Sequence, residues 1–211
     1  MLQRIRSFLS IPVIYQLWGN AVGGSASVKT VVGEYIRPKQ DDRILEIGCG
    51  PGTIVSYLPQ SGYLGFDLSA EYIDQARKRF PSAQFVCERV SKFLLVDAHS
   101  FDLVLAIGIV HHLDDAEAHQ LFEIAHHALK PGGRLVTIDG VFTKGQNPAA
   151  RWLLKRDRGE HVRSETEYLK IASKVFDDVI PIIRHDLLRI PYSHLILQCS
   201  HAAASMAKKT A

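Results

Sequence analysis

Leu45-Glu46-Ile47-Gly48-Cys49-Gly50-Pro51-Gly52 decides how the rest of the chain is read. It closes a short apolar run, Arg43–Gly48, that reads as a strand, and sets three alternating glycines where a helix would open. Glycine lets a backbone turn sharply and approach a ligand with no Cβ in the way. The amides that open a helix are unpaired donors, ready for an acceptor group. A dinucleotide fold wants G-x-G-x-x-G, whereas Gly48-x-Gly50-x-Gly52 is spaced differently, which argues against NAD. The run Gly52–Leu58 is predicted to be the first helix of the repeat, ended by Pro59.

Downstream, strands and helices alternate. Tyr63–Asp67 is the second strand, and Ser69 caps a helix that turns Ile73, Ala76 and Phe80 inward. Ala83–Cys87 is a third strand, and Phe101–Ile107 is a fourth, apolar enough to be buried on both faces. Asp114 and Asp115 start a helix with Leu121, Ile124, Ala125 and Ala128 on its core face, and Lys130-Pro131-Gly132-Gly133 stops it. On that helix His126-His127 lies off the apolar face and reads as solvated surface. Arg134–Asp139 is the fifth strand. This rhythm predicts an α/β fold: a Rossmann-like, doubly wound, mostly parallel sheet with right-handed crossovers. Val179–His185 and Ser193–Cys199 are joined too briefly for a parallel crossover, so the last strand should run antiparallel.

Upstream, Val28, Val31, Val32, Tyr35 and Ile36 line one face of an amphipathic helix that Arg37-Pro38 ends. Phe8, Ile11, Ile14, Tyr15 and Trp18 suggest another, preferred to a signal peptide because Pro12 and Gln16 interrupt the run. The expected organisation is a helical cover over 1–36, a Rossmann-like domain over 37–200 with a lid-like insertion at about 144–166, and a flexible tail over 201–211. The net charge is +3 and 46% of residues are hydrophobic, which excludes disorder and gives no sign of a nucleic-acid partner. No apolar run is long enough for a membrane span, so no membrane partner is expected. Cys49, Cys87 and Cys199 show no metal-ligand spacing, and an odd count suits a reducing, cytoplasmic setting. No metal is expected.

Asp67 ends the second strand 19 residues after Gly48, the position from which a carboxylate grips two ribose hydroxyls. Taken with Gly65-Phe66-Asp67-Leu68-Ser69, Phe101-Asp102-Leu103-Val104, His111-His112-Leu113 and Leu129-Lys130-Pro131-Gly132-Gly133-Arg134-Leu135, the glycine stretch resembles the class I S-adenosylmethionine-dependent methyltransferases over about residues 28–140. The resemblance implies a seven-stranded sheet with the last strand antiparallel, and S-adenosylmethionine as cofactor. It implies that Gly48, Cys49, Gly50 and Gly52 pass beneath the cofactor, with Glu46 near its amino-acid end. Asp67 would hold the ribose and Leu68 would lie against the adenine. Glu88, with Arg89 beside it, would take the place of the acidic residue that contacts the adenine amino group, in a stretch that departs from the family's usual Gly-Asp-Ala wording. Ala106 and Ile107 would line the cofactor face.

His111 and His112 follow the fourth strand at its carboxyl end, where open α/β sheets bind ligands, and either can accept a proton near neutral pH. Asp139 ends the fifth strand at the same edge and can orient a hydroxyl or amine. The stretch from Lys144 to Arg163 has six basic residues against Asp157 and Glu160, a net +4, and Arg156 and Arg158 form a candidate clamp for an anionic acceptor. No Asn/Asp-Pro-Pro-Tyr run follows the fourth strand, which leaves a small-molecule acceptor methylated on oxygen or nitrogen. An NAD-dependent oxidoreductase and a non-catalytic cofactor-binding partner protein are the alternatives.

Overall fold

The computed structural model describes residues 24–95, 98–156 and 159–201. In chain order these form α1 (Gly24–Val31), β1 (Ile44–Ile47), β2 (Tyr63–Asp67), α2 (Ala70–Arg79), β3 (Gln84–Cys87), β4 (Phe101–Ile107), α3 (Asp115–Ala128) and β5 (Leu129–Phe142). α4 (Pro148–Leu154), β6 (Arg163–Ser164), α5 (Glu165–Ala172), β7 (Asp178–Arg184) and β8 (His194–Ser200) follow. The sheet runs β3-β2-β1-β4-β5-β8-β7, with β6 paired to β5 alongside this path. β1 to β5 pair in parallel, and β8 is antiparallel to both of its neighbours. The fold is the mostly parallel, doubly wound sheet that the alternation predicts. Strand order reverses between β1 and β4, so the crevice for a ligand opens at the carboxyl ends of these two strands.

Two apolar layers cover the sheet, as strand alternation demands. On β1, Leu45 and Ile47 join the layer built on α3, while Ile44 joins the layer that contains Val31, Ile36, Ile73 and Ala76. Each fully buried aliphatic or aromatic side chain contributes roughly 1.5–3 kcal/mol. The local caps act as their residue types dictate. Ser69 Oγ accepts from the Tyr72 amide at 3.3 Å, and Asp114 Oδ1 accepts from Ala116 and Glu117 at 3.0 and 2.9 Å. α1 passes into a π-helical turn, Val32–Ile36, that buries Tyr35 and Ile36.

Four expectations are corrected. Gly52–Leu58 is not an α-helix: Gly52 sits at φ 74°, and only one 3₁₀ turn, Val55–Tyr57, forms before Pro59 forces Leu58 into an extended conformation. Lys130-Pro131-Gly132-Gly133 does not end the helix in a free loop but lies inside β5. There Leu129 pairs with Phe101 and Arg134 with Leu103, so the register shifts around Gly132 at φ 79°. The sheet gains an eighth, two-residue strand, β6, from the basic insertion. His126 is half-buried, its ring edge-on to Phe176 and His201, with centroids 6.0 and 4.3 Å away. The predicted helix around Phe8–Trp18 and the tail beyond His201 lie outside the described residues.

Candidate functional site

The glycine stretch after β1 takes its shape from positive backbone angles: Gly48, Gly50 and Gly52 have φ of 71°, 51° and 74°. At Gly48 a Cβ would stand 2.8 Å from Ile109, which leaves β4 on the other side of the strand-order reversal. At Gly50 it would meet nothing within 4 Å, which leaves an open cradle. Asp67 fastens this loop. Its Oδ2 accepts from the Gly50 amide at 3.0 Å and its Oδ1 from the Ser69 amide at 2.8 Å. Asp67 O also accepts from the Glu88 amide at 3.0 Å, so the ends of β2 and β3 and the glycine loop meet. Leu68 beside them is 64% exposed, an apolar side chain with no cover. Glu88 is half-buried and folds its Oε1 back onto the Arg89 amide, while Arg89 itself is exposed.

Beneath the loop lies a buried polar group that the sequence reading missed in part. Glu46 is 3% exposed and accepts a short hydrogen bond from Tyr63 Oη. Burial, opposed by the Tyr63 hydrogen bond and reinforced by nearby Asp67, pushes the Glu46 carboxyl up to about 8. The Tyr63 hydroxyl and Cys49 crowd over Gly65, where a Cβ would lie 2.8 Å from Tyr63 Oη and 2.9 Å from Cys49. Gly65 is therefore a space requirement of the Glu46–Tyr63 pair. Burial also raises the Cys49 thiol, so Cys49 packs as a neutral group. The period of two along β2, which puts Tyr63, Gly65 and Asp67 on one face, was the available signal.

The Glu46 proton gives a pH prediction. The folded chain holds it more tightly than the unfolded chain, whose carboxyl has the ordinary value of 4.5. The contribution to stability is complete below about pH 4.5 and is lost as pH rises through about 8. At about 1.4 kcal/mol per unit, Glu46 takes on the order of 2–5 kcal/mol from wild-type stability across that window. Glu46→Gln keeps an acceptor for Tyr63 and carries no titrating group. Urea unfolding at pH 5 and pH 8 should show a smaller loss in the variant. An equal loss in both proteins would remove Glu46 as the cause.

A second polar cluster stands at the ends of β4 and β5. His111 is 7% exposed, and its amide and Nδ1 lie 3.1 and 2.8 Å from Asp139 Oδ1. Asp139 is 3% exposed, and its buried Oδ2 has no hydrogen-bond partner among the described residues. A carboxylate only accepts, so Nδ1 carries the proton and the basic lone pair of the ring is on Nε2. His112 is exposed, its ring centroid 4.2 Å from that of His111. Of the two histidines, His111 is the one built into the fold.

The basic insertion packs onto this cluster. Gly159 presses against the His111 ring so closely that no side chain would fit, and the His161 amide donates to His111 O at 3.0 Å. Arg163, 7% exposed, donates to Val110 O, Leu113 O and His161 O at 3.1, 2.8 and 3.0 Å. It also pairs with Asp115 Oδ1 at 2.7 Å, which holds the Asp115 carboxyl below the usual range. Counted in the sequence only as one of six basic residues of the insertion, Arg163 is a buried clasp on the Val110–Asp115 turn.

Other candidates are placed differently from expectation. Ala106 is fully buried in the α3-side core, so its side chain does not line an open face, whereas Ile107 is half-buried on the opposite side. Of the candidate clamp, the Arg156 guanidinium stacks on the exposed Trp152 ring, 3.9 Å from its centroid, and Arg158 lies outside the described residues. Among the described residues no three His, Cys, Asp or Glu side chains group as metal ligands, and no helix is long and apolar enough to cross a membrane.

Residues 44–133 match the family described as methyltransferase domain. An uncharacterized methyltransferase of Synechocystis is 28% identical over 120 residues, which is 56% of this chain and 56% of that protein. The chain thus spans little more than half the length of that curated relative. In fold it is similar to phosphoethanolamine N-methyltransferase 2 of Haemonchus contortus, with a TM-score of 0.68, 18% identity, and coverage of 85% of this chain and 53% of the other. It is also similar to geranyl diphosphate C-methyltransferase of Streptomyces coelicolor, with a TM-score of 0.64, 16% identity, and coverage of 84% and 77%. Residues 44–133, which hold the glycine loop and the strand-end Asp67, thus match a methyltransferase domain, and the sheet with its antiparallel last strand has the fold of S-adenosylmethionine-dependent methyltransferases.

Proposed function

We propose that the chain transfers a methyl group from S-adenosylmethionine to an oxygen or nitrogen of a small-molecule acceptor. One observation carries the reading: the left-handed glycine loop is tied by Asp67 to the carboxyl edge of the sheet where strand order reverses. The residues there fit the cofactor. The cradle at Gly50 is open, Leu68 offers an apolar face to a purine, and each Asp67 oxygen has a lone pair left for a vicinal diol. The Haemonchus and Streptomyces neighbours were both solved with S-adenosylhomocysteine.

When bound, S-adenosylmethionine supplies a methyl group already activated on a sulfonium. The chain then has to align an acceptor with that carbon and receive its proton. His111 Nε2 is the basic atom for the proton, and Asp139 holds the ring in the required tautomer and stabilises the imidazolium. Gly159 and Arg163 press the insertion onto His111, which restricts water at the ring. Lid closure over the acceptor belongs to this proposal.

Calorimetry should show binding of S-adenosylmethionine and S-adenosylhomocysteine with little affinity for NAD. Turnover with phenols, amines, carboxylates and, because one neighbour is a C-methyltransferase, activated carbon acids should yield S-adenosylhomocysteine with at least one class. Tight NAD binding without adenosylmethionine binding would end the proposal. Cofactor binding with no product from any acceptor would make the chain a cofactor-binding module.

A further inference from the structure

The outer face of α4 carries chemistry that the proposed reaction does not use. Ala150 and Leu154 bury the inner face against β5, where Leu154 Cδ2 lies 2.7 Å from the place a Cβ on Gly140 would take. Arg151, Trp152, Lys155 and Arg156 stand exposed on the other side. Trp152 is 53% exposed and lies under the Arg156 guanidinium, while Arg151 lies over the Phe142 ring at 5.3 Å. From Lys144 to Arg156 the sequence has four basic residues and no acidic one.

We propose that this face docks the protein on an anionic bilayer surface, with Trp152 in the headgroup layer and Arg151, Lys155 and Arg156 on lipid phosphates. Tryptophan has an apolar body and one N–H donor, the combination that favours the boundary between hydrocarbon and water. Long basic side chains lay their stems along that boundary and keep their charge among the phosphates. Charge complementarity selects anionic over neutral lipid. A single-stranded nucleic acid fits less well, because it stacks bases on open ring faces, and here an arginine already occupies one face of each of the Trp152 and Phe142 rings.

The first 23 residues repeat this composition in sequence. Arg4 and Arg6 precede Phe8, Ile11, Ile14, Tyr15 and Trp18 at helical spacing, with no Asp or Glu. Stable surface anchoring takes two such signals. On this proposal, surface binding replaces the expectation of no membrane partner.

Trp18 and Trp152 are the two tryptophans, so a Trp18→Phe chain reports on position 152 alone. Vesicles of phosphatidylcholine with about a third phosphatidylglycerol should shift its emission to the blue, and pure phosphatidylcholine should not. In the full wild-type chain, Arg151→Gln, Lys155→Gln and Arg156→Gln together should weaken co-sedimentation with the anionic vesicles about a hundredfold. All three side chains are exposed, and circular dichroism should confirm an unchanged fold. An unshifted Trp152 emission, equal binding to neutral vesicles, or undiminished binding of the triple variant would each overturn the proposal. The last outcome would assign any membrane contact to the N-terminal segment.

Discussion

Asp67→Ala is expected to weaken S-adenosylmethionine binding by roughly 2–4 kcal/mol, or about 30-fold to 1000-fold. Two losses add. The ribose would lose a charged acceptor, and the Gly50 and Ser69 amides would lose the oxygens that now hold them at 3.0 and 2.8 Å. With the tie gone, the glycine loop has to be ordered again on each binding event. The second loss also reaches the free protein. A carboxylate at a strand end, outside the core, can be removed with the fold kept. In the structure its removal leaves two amides short of acceptors, at about 1–3 kcal/mol. The unfolding midpoint should fall by roughly 2–4 °C for each kcal/mol.

Calorimetry and thermal unfolding separate the two roles. A lower midpoint with unchanged affinity would leave Asp67 as a brace alone. Wild-type affinity together with a wild-type midpoint would sink both roles. Asp67→Asn is the useful intermediate, because its amide keeps one accepting oxygen and so can satisfy Gly50 or Ser69, not both.

What sequence made legible here is what short-range chemistry controls. Ser69 and Asp114 cap helices because their side chains reach amides two or three residues away, and the alternation of strand and helix needs nothing beyond periodicity. The misread segments are those where the backbone leaves its local preference. Gly132 lets β5 take up a register shift inside a stretch that reads as a stop, and Gly52 denies an α-helix to a stretch that reads as its start. Partners far apart in the chain were out of reach as well. Arg163 meets Val110 and Leu113 across 53 and 50 residues, and nothing in the insertion's composition separates it from its solvated basic neighbours. The Glu46–Tyr63 pair spans 17 residues, and only the strand period hinted at it.

His111→Ala is expected to lower kcat by about 10²–10⁴-fold, the scale for one positioned proton acceptor, and to leave S-adenosylmethionine affinity within about threefold. Asp139→Asn tests how that acceptor is set. The carboxylate accepts a hydrogen bond from Nδ1 at 2.8 Å, and its buried second oxygen has no hydrogen-bond partner among the described residues. If His111 takes the acceptor's proton as proposed, that charge would stabilise the imidazolium, because an opposite charge in a dry setting favours the protonated ring. An asparagine amide there can donate to Nδ1, which would move the ring proton to Nε2 and remove the lone pair from the acceptor's side. Asp139→Asn should therefore lose most of the rate that His111→Ala loses, and the acidic limb of the pH–rate profile should move to lower pH. Methyl transfer by alignment alone predicts the opposite result, with kcat changed less than about threefold in both variants and no shift in the pH limb. The Gly159 contact would then be the reason for a buried His111, and the ring would serve to seat the insertion.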